Sequence, residues 1–202
     1  MVSQCRPGPY KTEGNQPYWD RETAKGTAMT SASDAKTEAQ QTQSHDVRVG
    51  EIAVPLPDRF DASVYFIGRI RTPWKTRKDC PKNARAARET GQVCTIELDP
   101  RWVPGLKDIE RCSHLVVFYW MDNARRDLIV QVPGHLGKGR GTFALRSPVR
   151  PNPIAMSVVK LIKVDGNTVD VVALDCIDGT PLLDIKPYYA STDSIPDAVT
   201  GP

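Results

Sequence analysis

No Cys-x-x-Cys pair occurs in this chain of 202 residues, and its five cysteines (Cys5, Cys80, Cys94, Cys112 and Cys176) are odd in number and widely spaced. That pattern argues against both a disulfide framework and a thiolate zinc site. It fits free thiols in a reducing compartment, several of them acting as small hydrophobes in strands. The three histidines, His45, His114 and His135, are too scattered to suggest a metal centre, so no metal is expected. No apolar run approaches membrane-spanning length, and no apolar h-region marks a secretory signal. A cytoplasmic protein without a membrane partner is the expectation. No Gly-x-Gly-x-x-Gly follows a strand-like run and no Gly-x-x-x-x-Gly-Lys-Ser/Thr occurs, so neither a Rossmann-type cofactor site nor a phosphate-binding loop is indicated. The net charge of +3 is too small to identify a nucleic-acid partner by itself.

What the chain does contain is unevenly distributed. Residues 1–50 are rich in Ser, Thr, Gln, Lys, Glu and small side chains and nearly devoid of aliphatic ones. Such a stretch cannot bury enough apolar surface to offset its ordering entropy, so it reads as a disordered tail. Residues 51–63, including Ala53-Val54-Pro55-Leu56-Pro57, read as a linker into a folded domain over 64–198, with 199–202 as a short end.

Within that domain, β-branched and aromatic residues cluster in short runs at 64–70, 93–98, 115–120, 128–132, 142–145, 154–164 and 168–174. Pro, Gly and polar clusters separate them. Asp165-Gly166-Asn167 is suited to a hairpin turn, because Gly and Asn tolerate positive φ. Helical candidates are confined to short stretches, 83–89 and 104–110. Strands at this spacing predict an all-β fold, a small closed or partly open β-barrel with short helices in its loops.

Three segments carry candidate chemistry. Arg146-Ser147-Pro148-Val149-Arg150-Pro151-Asn152-Pro153 has three prolines and cannot be a central strand. It is either a purely structural loop or a stiff loop that preorganises polar groups for a ligand. Asp175–Tyr188 contains a turn, Asp178-Gly179-Thr180-Pro181, followed by Asp184 and Lys186, which share one face if extended. Their charges read equally as a surface ion pair or as groups that hold hydroxyls and move a proton. Between Arg69 and Glu89 lie eight basic residues around Trp74, against Asp79 and Glu89. A basic patch with an interleaved aromatic suits a phosphate backbone and an unstacked base, and Arg77, Lys78 and Arg85 are its RNA-binding candidates. It reads also as a solvated face.

Together these segments resemble a known family. Phe66-Ile67-Gly68-Arg69-Ile70-Arg71-Thr72-Pro73-Trp74 looks like its opening strand, and Ser113-His114-Leu115 like the start of a core strand. Arg146–Ile154 and Leu174–Tyr188 resemble its two strongest signatures. The chain is similar, over about 64–198, to the TsaA-like family, which includes the YaeB/TrmO tRNA methyltransferases. The resemblance implies a homodimeric β-barrel that binds S-adenosylmethionine beside the subunit interface. It further implies methylation of N6-threonylcarbamoyladenosine at position 37, in the anticodon loop of threonine tRNA.

Carried over by position, the cofactor contacts would be Asn83, Ala84, Arg85, Asp122, Asn123, Arg146, Met156, Leu174 and Asp175. The family often has His-Gln or a similar pair where this chain has Asp122-Asn123, and usually Gly where it has Ala155. Asp184 and Tyr188, with Lys186 tuning them, are the catalytic candidates for assisting loss of the acceptor proton. Two other readings stand beside this one: an S-adenosylmethionine-dependent enzyme with a small-molecule acceptor, and a non-catalytic S-adenosylmethionine-binding regulatory module.

Overall fold

The computed structural model describes residues 47–59, 61–134 and 136–200, so the tail inferred from sequence lies almost wholly outside the described residues. Nine strands are described: β1 (Ile52–Ala53), β2 (Gly68–Arg71), β3 (Val93–Leu98), β4 (His114–Trp120), β5 (Leu128–Gln131), β6 (Arg140–Gly141), β7 (Ile154–Asp165), β8 (Thr168–Val172) and β9 (Pro181–Pro187). Two short α-helices, α1 (Ala84–Thr90) and α2 (Ala190–Asp193), lie outside the sheets. Six strands close into a barrel in the order β2-β3-β8-β7-β4-β9, and β1-β5-β6 form a separate small sheet.

Strand alternation builds the barrel interior. In β3, Cys94, Ile96 and Leu98 are buried while Val93, Thr95 and Glu97 are not; in β4, Leu115, Val117 and Tyr119 point inward. Val159, Val169, Val171, Ile70 and Leu182 complete a core of the size that fills a small barrel with side chains rather than leaving a channel. At Gly68 the backbone of β3 passes so close that an added Cβ would lie 2.2 Å from the Glu97 carbonyl oxygen. Only glycine fits there. The expected hairpin joins β7 to β8 through a two-residue loop, with Gly166 at φ 58°.

Three departures from the sequence reading have physical causes. Thr142–Ala144 forms a 3-10 turn, not a strand, because the buried Thr142 hydroxyl donates to the Leu128 carbonyl (2.8 Å) and Leu145 N closes on Thr142 O (3.1 Å). The run from Thr168 stops at Val172, since Ala173 adopts φ 88° and turns the chain out of the ladder. The stretch read as linker contains a paired strand: Ile52 and Ala53 add to β5, and Glu51 is anchored by Arg48 and by Val132 N.

Every neighbouring pair in the barrel is antiparallel. Strands β2, β8 and β4 therefore end at the same rim where β3, β7 and β9 begin. Residues 72–92, 121–153 and 173–180 all connect strands at that rim.

Candidate functional site

Most of the cofactor candidates lie on that rim. Asn83, Ala84 and Arg85 precede β3, Asp122 and Asn123 follow β4, Arg146 precedes β7, and Leu174 and Asp175 follow β8. Alternating strand direction thus gathers residues nearly one hundred positions apart.

Hydrogen bonds lock two of these connections together. Trp74 Nε1 donates to the Leu174 carbonyl (3.3 Å), Thr72 Oγ1 to the Cys176 carbonyl (3.0 Å), and Cys80 Sγ to the Asp175 carbonyl (3.0 Å). Asp178 accepts from Thr72 N (3.0 Å) and pairs with Lys75 Nζ (2.8 Å); the lysine holds its carboxyl below the usual carboxylate range. The tryptophan and the charges that read from sequence as an RNA patch are therefore partly used to brace the second signature. Arg77, Lys78 and Arg85 remain exposed, with Arg85 in an i,i+4 pair with Glu89 (3.1 Å).

Asp175 is the centre of the arrangement. Tyr119 and Ser157, both buried on the barrel interior, bring their hydroxyls to its Oδ1 at 2.9 and 3.0 Å and lie 2.9 Å from each other. Burial, and then the Asp175 charge, push the Tyr119 phenol well above its ordinary range, so it is a fixed donor. Among the described residues no side chain donates to Oδ2, and Asp175 is only half-buried. The carboxylate is thus oriented from behind and open in front. Sequence reasoning named Asp175 but missed Tyr119 and Ser157, which sit at inward positions where apolar residues are the rule.

Burial keeps the neighbouring thiols protonated: Cys80 and Cys94 are each raised to about 11. Neither is a nucleophile at neutral pH.

The Arg146–Pro153 loop delivers two cations differently. Arg146 is exposed and donates to the Met156 carbonyl (3.0 Å), whereas Arg150 donates inward to the Thr142 and Leu145 carbonyls (3.2 and 3.1 Å). Arg150 is a brace and Arg146 the presented group. Met121 N donates to the Pro153 carbonyl (2.9 Å), so the Asp122-Asn123 turn abuts the end of this loop. Asn83 spends its side-chain oxygen capping α1 through Ala86 N (2.9 Å). The Leu174 side chain is buried in the core, and its carbonyl is the one that accepts from Trp74. Ala155 faces inward opposite Tyr119, so its extra methyl is absorbed by the core.

The catalytic candidates fall elsewhere. Asp184 and Lys186 form an ion pair (2.8 Å) on the outer face of β9, Asp184 in register with Phe118, which in turn pairs with Met156. Tyr188 lies past the opposite rim, its N–H bonded to the His114 carbonyl (3.1 Å). Three residues lie between Asp184 and Tyr188, and the four steps span about 13 Å of chain.

Residues 69–194 match the model of the tRNA-methyltransferase O N-terminal domain family. The chain belongs to that family. It is 49% identical over 141 residues to the Rhizobium radiobacter protein named "Probable S-adenosyl-L-methionine-binding protein VirR", covering 70% of this chain and 79% of that one. It is 34% identical over 141 residues to the tRNA (adenine(37)-N6)-methyltransferase of Escherichia coli strain K12, covering 65% of this chain and 60% of the enzyme. The crystal structure of TrmO from P. aeruginosa matches with a TM-score of 0.59 and 32% identity, over 71% of this chain and 62% of that one. The family match begins inside β2 and ends just beyond α2, so it takes in the closed barrel apart from Gly68.

Proposed function

We propose that the rim site binds S-adenosylmethionine and that the protein is a tRNA methyltransferase of the TrmO type, acting at N6 of N6-threonylcarbamoyladenosine-37 in the anticodon loop of threonine tRNA. The observation that carries this reading is the oriented, open carboxylate of Asp175 on the same rim as Arg146 and Asp122. The donor set fits the cofactor's chemistry. Asp175 and Asp122 suit its ammonium and ribose hydroxyls, and Arg146 suits its carboxylate.

The bound cofactor would supply an electrophilic methyl on a sulfonium centre. The protein's part is orientation: a carboxylate clamped by two buried hydroxyls, an arginine tied to a strand carbonyl, and a loop stiffened by three prolines. Asp184, tied to Lys186 in the row with Phe118 and Met156, is better placed than Tyr188 to take the acceptor proton. Arg77, Lys78 and Arg85 would contact phosphates. Ile154, Met156 and Phe66 expose apolar surface on the outer face, where a second copy would pack to make the homodimer. Cytoplasmic tRNA would be met in the cytoplasm.

Calorimetry with S-adenosylmethionine, followed by mass spectrometry of tRNA nucleosides from a deletion strain, tests the reading. Binding, together with loss of methylated threonylcarbamoyladenosine, is expected; unchanged nucleosides despite binding would favour the second reading, an S-adenosylmethionine-binding module without tRNA turnover, which the name of the 49%-identical relative suggests. Asp184→Asn is expected to lower the methylation rate about 100-fold with little change in cofactor affinity. Charge-neutral variants of Arg77, Lys78 and Arg85 should weaken tRNA binding and flatten its salt dependence.

A further inference from the structure

The loop that enters β7 carries a feature the proposed chemistry does not use. Phe143 is 83% exposed, yet the turn that holds it is tied down by hydrogen bonds on its neighbours. Its neighbour Thr142 is fully buried and donates to the Leu128 carbonyl (2.8 Å). The buried Gln131 amide reaches Thr142 Oγ1 and the Val149 carbonyl, both at 2.7 Å. Arg150 then clasps the Thr142 and Leu145 carbonyls from the other side. A phenyl ring held out by a braced turn loses little conformational freedom on meeting a partner.

The chain around Phe143 is predominantly basic, with Asp127, ion-paired to Arg125, at its edge. Between Asp127 and Asp165 the chain has no Asp or Glu, while Lys138, Arg140, Arg146 and Arg150 flank Phe143 on either side. A self-complementary contact between two copies would place these cations against their own counterparts, which is unfavourable. An RNA strand offers the opposite charge and, where unpaired, flat faces for the ring.

We propose that Phe143 is a stacking platform for an unpaired nucleobase of the RNA acceptor, with the exposed Lys138 on an adjoining phosphate. The proposal rests on the RNA-acceptor reading above and adds a contact to it. Stacking of a base on an aromatic side chain is worth about 1–3 kcal/mol, so Phe143→Ala should weaken binding of a labelled anticodon stem-loop RNA about tenfold. S-adenosylmethionine affinity and melting temperature should not move, and Phe143→Trp should restore RNA binding.

Wild-type RNA binding that is unaltered in Phe143→Ala would overturn the stacking role alone. A changed sedimentation mass in Phe143→Ala with unchanged RNA affinity would overturn it in favour of a subunit contact. Loss of cofactor affinity and stability in step with RNA affinity, in the alanine and tryptophan variants alike, would show a structural ring. Absence of RNA binding by the wild-type protein would overturn both this proposal and the reading beneath it.

Discussion

Asp175 shows how buried groups set the orientation of a single side chain at the rim. A carboxylate at the rim of an apolar barrel would swing toward water; two hydroxyls from adjacent strands fix one of its oxygens instead. Removing either donor should cost orientation rather than the carboxylate. Tyr119→Phe and Ser157→Ala are each expected to raise the S-adenosylmethionine dissociation constant about tenfold, the scale of a hydrogen bond to a charged group, while each protein stays folded. Titration calorimetry of the two variants checks this, and unchanged affinity in both would remove Asp175 from the cofactor contacts. Ala173, two residues earlier and 1% exposed, holds φ 88°. Ala173→Val, which adds a β-branched side chain in that conformation, should lower stability by about 2 kcal/mol or more in denaturant melts.

Among the elements, β1 has an attachment that depends on a titrating group. The Glu51 carboxylate accepts from Arg48 and from Val132 N and is lowered from 4.5 to about 2, chiefly by the Arg48 hydrogen bonds. A depressed folded value means that its contribution is complete above 4.5 and is lost as pH falls toward 2. Amide exchange across residues 51–54 should therefore accelerate between pH 4.5 and pH 2 before the barrel itself opens; equal protection over that range would count against the anchor. None of this was legible in a sequence stretch that reads as a linker, because the contacts of Glu51 include a residue 81 positions away. The barrel strands were legible where β-branched and aromatic residues cluster, as in β3, β4 and β7. Strand β9 was not, because Pro181 and Pro187 bound it and Asp184 and Lys186 interrupt its apolar pattern; it is a strand because β2 and β4 both offer it partners. The Arg146–Pro153 and Leu174–Tyr188 signatures were visible as motifs, but the brace between Trp74 and Leu174 was not, since it depends on the closed barrel.

For the whole molecule, closure by alternating strands decides which parts of the chain meet. The rim with Asp175 receives the three connections 72–92, 121–153 and 173–180, while the opposite rim carries 99–113, the tight Gly166-Asn167 loop and the exit of β9. Position along the sequence counts for little beside the direction of the strand just completed. That gives the fold a parity: connections of one parity reach the Asp175 rim and those of the other do not. A few residues inserted between Gly166 and Asn167 should leave S-adenosylmethionine affinity within about twofold, because surface loops lengthen at small entropic cost. The same insertion after Gly179 should abolish binding, and calorimetry of the two proteins is the check. On the proposed site, tolerance of longer loops follows the same parity, with one rim open to insertion and the other closed to it.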